Sequence, residues 1–132
     1  MALIETFRGR QMDAHYLGYF ECFNRGLFYE AHDVLEELWL GERGGPDGPF
    51  YKGLIQLAGA FVHLQKGRVR PAAALFKLAR ANLERYSEGH RGLSRGRVLG
   101  LVDHWLASIE NGGFERNPLL EEAAPQLEMT ES

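Results

Sequence analysis

Residues 23–40 read FNRGLFYEAHDVLEELWL. This stretch holds a helix end and a helix restart, and its reading sets the architecture. Asn24 and Gly26 are residue types suited to the left-handed backbone that closes helices. Apolar side chains then return at Phe28, Ala31, Val34, Leu35, Leu38 and Trp39, the spacing of an amphipathic helix. Upstream, Tyr16, Leu17, Phe20 and Phe23 give residues 12–25 the same period. Downstream, GERGGPDGP (41–49) breaks the pattern and predicts a loop.

Pro49 suits a first helical turn and opens a predicted third helix over 49–66. That helix is apolar almost all round, with Phe50, Leu54, Ile55, Leu57, Phe61, Val62 and Leu64, so it is expected to be central. Gly53, Ala58, Gly59 and Ala60 let neighbours approach closely. Pro71 opens a fourth helix to Tyr86, and a fifth is expected over 94–110, stopped by Asn111, Gly112 and Gly113. Alternating apolar and polar runs are absent, so strands are not expected. The reading is all-α: a compact irregular bundle of about five helices built from antiparallel hairpins. Residues 1–113 form a single helical domain; 114–132 form an acidic tail, partly mobile, from which Phe114, Leu119 and Leu120 are candidates to dock. Gly26 and Gly67 each lie between one helix and the next, a faint echo of the tetratricopeptide hairpin. A peptide groove of that kind needs an open concave face, which a fifth helix would fill.

The chain has 132 residues, 45% of them hydrophobic, and a formal net charge of -3 with the two signs well mixed. A dedicated nucleic-acid binder would carry a basic face. The local basic run His90, Arg91, Arg95 and Arg97 reads as a solvated loop. Cys22 stands alone, so no internal disulfide forms and a reducing cytoplasm is the expectation. No secretory signal and no apolar run of ~20 residues for a membrane span is present. Phosphate-loop and serine-nucleophile signatures are missing.

Polar residues of interest collect on the second and third helices. On a 100° wheel, His32 lies at the edge of the apolar face beside Trp39, with Glu36 one turn on and within reach. Glu30, Asp33 and Glu37 form an acidic row. Lys52, Gln56 and His63 share a stripe with Gly59 on the otherwise greasy third helix. That stripe is either its solvent side or a partner for His32 and Glu36 at the helix 2–helix 3 seam. Two histidines and a carboxylate could ligate a divalent metal, and His32 with Glu36 could do acid–base work. The structural alternative is that Glu36 braces the His32 ring. His15, His90 and His104 show no ligand spacing.

EAHDVLEELW and GLIQLAGAFVHLQKG, followed by PAAALFKLARANLERY, resemble a small all-helical family of bacteria and archaea, domain of unknown function 309. The likeness covers Tyr16 to Tyr86 and rests on Asn24, Gly26, Glu30, Ala31, His32, Leu35, Glu36, Trp39, Gly53, Gln56 and His63. It implies an irregular helical bundle and brings no activity, substrate or cofactor. The expected function is binding of an unknown protein or small-molecule partner, with self-association into a homo-oligomer. No cofactor, nucleic acid or membrane is expected to take part. The binding candidates are Glu30, Asp33, Glu37, Trp39, Lys52 and Gln56. The rival is a metal-dependent or acid–base enzyme using His32, Glu36 and His63.

Overall fold

Five helices account for the regular structure of residues 13–129, the part that the computed structural model describes. They are α1 (Ala14–Asn24), α2 (Phe28–Glu42), α3 (Gly48–Gln65), α4 (Val69–Leu83) and α5 (Arg95–Asn111), with short 3-10 turns at His90–Gly92 and Pro118–Leu120. No strand forms among the described residues; Leu93 and Met129 make an isolated antiparallel bridge. The expected start of the first helix at Met12 lies outside the described residues.

Local chemistry explains the ends. Asp13 caps α1 by accepting from the His15 N–H at 2.6 Å. At its other end Leu27 N–H donates to the Cys22 carbonyl, Gly26 N–H donates to that of Phe23, and Gly26 has φ +76°. This is a Schellman closure. Arg68, Gly67 and His63 repeat it after α3, and Phe114, Gly113 and Ile109 after α5. The echo seen around Gly26 and Gly67 is therefore a shared way of stopping a helix. The fourth helix starts earlier than Pro71 because proline is tolerated in a first turn, where N–H groups have no intrahelical partner. At the start of α5 the Glu88 carboxylate, not Ser94, accepts from the Arg95 and Gly96 N–H groups, each at 2.8 Å.

The third helix is the middle of the bundle: twelve of its eighteen residues are buried, against three of fifteen in α2. Successive helices pack on one another, and α3 touches both α2 and α4. Phe61 joins the layers. Its ring meets Phe23 of α1, Phe28 of α2, Phe76 of α4 and Trp105 of α5, with centroids 4.9–5.7 Å apart. These are edge-to-face contacts except for the stacked Phe28 pair, geometries that aromatic rings favour. Gly53 sets the α3–α4 spacing, since a Cβ there would lie 2.9 Å from Leu83 Cγ.

After Phe114 the chain turns back along the body. Asn117 donates to the Leu64 carbonyl at 2.6 Å, and Leu127 is buried. Phe114 and Leu119 dock as half-buried side chains, whereas Leu120 does not: it stays 85% exposed.

Candidate functional site

His32 lies on the flank of α2 that faces α3. A Cβ on Gly59 would sit 3.8 Å from His32 Cδ2 and 3.2 Å from Leu75 Cδ1, so the imidazole and a leucine of α4 meet above that glycine. His32 Nε2 is 3.9 Å from Glu36 Oε2, and Nδ1 is 3.3 Å from Asp33 Oδ1. All three side chains remain a third or more exposed. The expected helical pair exists, at the mouth of the seam and in contact with water.

One turn on, Lys52 Nζ stands 4.3 Å above the Trp39 ring, a cation–π contact that ties α3 to α2. Gln56 faces the other way: its Oε1 accepts from Asn82 Nδ2 of α4 at 2.8 Å. No hydrogen bond joins Gln56 or His63 to His32 or Glu36. His63 keeps a buried Nδ1 with no hydrogen-bond partner. Burial, helped by Arg68 and Lys66, pulls its pKa below the ordinary value. The structure thus gathers His32, Glu36, Trp39 and Lys52 into one seam, with Gln56 on its α4 side. Among the described residues no three His, Cys, Asp or Glu side chains are grouped so as to hold a metal ion. In the acidic row, Glu37 reaches back to α1, with Oε2 3.1 Å from His15 Nε2, and Glu30 is exposed. Cys22 is half-buried, and burial followed by Glu30 and Glu21 pushes its thiol pKa up, the opposite of an activated nucleophile.

A second polar centre escapes sequence reading. Asp47, 9% exposed, accepts from Arg91 Nε at 2.7 Å, and its other oxygen lies 2.8 Å from His90 Nε2. Burial alone would raise this carboxyl's pKa, yet the bonds to Arg91 and His90 bring it below the usual value. Aromatic side chains enclose the centre. Tyr16 donates to the Arg91 carbonyl and Tyr86 to that of Pro46, both at 2.8 Å. The His90 ring lies 4.8 Å from both Phe50 and Tyr86. Burial pushes the Tyr51 hydroxyl up to about 12 and raises that of Tyr16 further. Arg91 adopts φ +51°, unusual for a residue with a Cβ.

The basic run that reads as a solvated loop is therefore largely engaged. His90 and Arg91 hold Asp47, Arg95 donates to the Glu84 and Tyr86 carbonyls, and Arg97 pairs with Glu128. Asp47 and His90 are 43 residues apart, each in a segment that reads only as a turn, so no local pattern announces their meeting. The linker does carry one hint. A Cβ on Gly48 would fall 2.5 Å from the Arg43 carbonyl oxygen, so the glycine before Pro49 is required by the tightness of the turn.

No helix among the described residues is long and apolar enough to cross a membrane. Over 91 residues, 69% of its length, the chain is 29% identical to an uncharacterized protein of Aquifex aeolicus (strain VF5). The match spans 27% of that relative's length. No solved structure matches the chain. The family model described as Domain of unknown function (DUF309) matches residues 16–75, from α1 to the middle of α4. The chain resembles that family through the hairpin of α1 and α2 and the buried α3 that carry the His32–Glu36 seam.

Proposed function

We propose that this protein is a small helical binding module that associates with a second copy of itself through the outer faces of α2 and α4. The observation that carries the reading is the apolar surface that α2 leaves exposed after Val34, Leu38 and Trp39 have packed against the core as half-buried side chains. Only Phe28, Ala31 and Leu35 are buried, while Tyr29 and Leu40 are 57% and 55% exposed. Between these two apolar ends the outward row presents Asp33 and Glu36, with Glu30 and Glu37 beside it. The outer face of α4 and the turn after it is its complement: Ala74, Lys77, Leu78 and Ala81 of the helix and Arg85 just beyond its end are all exposed, with Leu78 at 50%. In a two-fold pair each acidic α2 would meet the partner's basic α4, so one contact is made twice. Binding is preferred to a metal-dependent or acid–base reaction because, among the described residues, no three His, Cys, Asp or Glu side chains are grouped so as to hold a metal ion, and the His32–Glu36 pair is exposed. The lone Cys22 suits a reducing cytoplasm.

The test is sedimentation velocity at micromolar concentration. Wild type should sediment as a dimer. Glu36→Lys with Glu37→Lys should give monomers, and so should Lys77→Glu with Arg85→Glu. Mixing the two variants should restore a heterodimer. A wild-type monomer at every concentration, or no rescue on mixing, removes the proposal.

A further inference from the structure

Residues 126–129 are held as a bound peptide would be. Along residues 126–129, Gln126 and Glu128 are exposed, Leu127 is buried and Met129 half-buried, the two-residue alternation of a strand. Asn24, in the last turn of α1, engages the backbone of Leu127 in both directions. Leu127 N–H donates to Asn24 Oδ1 at 2.7 Å, and Asn24 Nδ2 donates to the Leu127 carbonyl at 2.9 Å. The Gln126 side chain donates to the Asn24 carbonyl at 3.2 Å. A carboxamide has both a donor and an acceptor. Used this way it reads extended backbone and no particular side chain, as a sheet edge does when it captures a peptide.

Selection among side chains comes from the surroundings. Ser94, Arg97, Val98 and Leu101 on the α5 side form one wall of a small cleft, and Gln126, Leu127 and Glu128 form the other. The Leu127 side chain is 5% exposed and belongs to the core cluster with Val98. Arg97 pairs with Glu128. Leu93 bridges to Met129. The tether behind this segment is held by exposed polar pairs: residues 120–124 are exposed, with Glu122 Oε1 2.8 Å from His104 Nε2 of α5 and Glu121 paired with Arg116, and Pro125 is half-buried. Release of residues 126–129 would withdraw Leu127 alone from the buried core cluster, since Gln126 and Glu128 are exposed and Met129 half-buried, the scale of a local opening.

We propose that the groove between the end of α1 and the N-terminal half of α5 is a peptide-binding site. Its ligand is an extended segment presenting a leucine followed by a carboxylate, and residues 126–129 occupy it in cis as a displaceable stand-in. Asn24 fixes the backbone, the apolar core surface that includes Val98 takes the leucine and Arg97 takes the carboxylate. A tethered segment competes at an effective concentration on the order of millimolar, so an outside peptide binds the intact chain weakly and a chain with a disabled tail tightly. The site is separate from the α2 and α4 faces and does not depend on dimer formation.

The probe is a fluorescein-labelled peptide of residues 121–132, titrated by anisotropy into the full chain and into the full-length Leu127→Asp variant, whose fold is checked by circular dichroism. Folded Leu127→Asp should bind at least about tenfold more tightly than wild type. Adding Asn24→Ala should weaken that binding about tenfold, the worth of two backbone hydrogen bonds. Folded Leu127→Asp that ignores the peptide, or binding indifferent to Asn24, overturns the proposal. Hydrogen exchange on the wild-type chain gives a second measure that needs no variant. The Leu127 amide should exchange at least about 100-fold faster than the Leu57 and Phe61 amides of α3. Exchange at their rate would mean that the segment leaves only on global unfolding, and would refute displaceability.

Discussion

Replacing Asp47 by asparagine keeps the side chain's shape and removes its charge. In the native protein the two carboxylate oxygens face two donors, Arg91 Nε at 2.7 Å and His90 Nε2 at 2.8 Å. An amide offers one acceptor and turns its NH2 toward the other donor. Hydrogen bonds to a charged group are each worth about 1.5–3 kcal/mol. One is lost outright in the variant and the other is weakened. Relief comes from two sources: an amide is easier to bury than a carboxylate, and the His90 and Arg91 side chains, 30% and 40% exposed, can turn partly to water. The expected net loss is about 2–3 kcal/mol, which in a domain of this size lowers Tm by about 8–12 °C.

The sign of the pH dependence follows from the lowered pKa of Asp47. The carboxylate's contribution is present above its unfolded value of about 3.9 and is lost as pH falls through the lower folded value. Urea unfolding of both proteins at pH 7, 5, 4 and 3 should therefore show a constant gap down to about pH 4 that narrows below it. A gap under about 0.5 kcal/mol at pH 7 would put the pair in the range of solvated surface ion pairs. The clamp between the 43–48 loop and the His90 turn would then contribute nothing to the fold.

Gly53→Ala pushes a methyl to within 2.9 Å of Leu83 Cγ and 3.1 Å of Asn82 Cβ. The crowding cost exceeds the helix-propensity gain, so a net loss of about 1 kcal/mol is expected by thermal melting. Gly100→Ala in α5, with nothing within 4 Å, should instead gain about 0.5–1 kcal/mol. Two results of equal sign would refute the close-approach reading of Gly53. NMR titration should find His63 changing protonation below the ordinary 6.5. Its neutral form is favoured in the fold, so its contribution to stability is kept above about 6.5 and falls as pH drops toward the folded value. Lys52→Met keeps the stem and removes the cation over Trp39; a loss of about 0.5–1 kcal/mol by urea unfolding is expected, with a change in tryptophan emission.

Periodicity carried most of the architecture, because helices announce themselves within a few residues of chain. The glycine stops at Gly26 and Gly67, the buried α3 and the His32–Glu36 adjacency are consequences of spacing alone, and the structure contains each of them. What spacing cannot supply is which face of a helix meets which neighbour. Lys52, Gln56 and His63 share one stripe of α3, yet Lys52 serves α2, Gln56 serves α4, and His63 keeps an unpartnered Nδ1. Lys52 and Gln56, flexible side chains on one line, diverge once different helices flank them.

The Asp47 centre and the Asn24–Leu127 pairing lie beyond the reach of any local reading. One joins residues 43 or more apart, the other residues 103 apart, and each depends on a loop or tail being returned to the body by helices that come between. Amino-acid order fixed where each rod begins, ends and turns greasy, since those are short-range balances of backbone geometry and side-chain burial. Only packing decided which polar groups lost their water together, and a buried carboxylate, a seated tail and two faces left uncovered are the results.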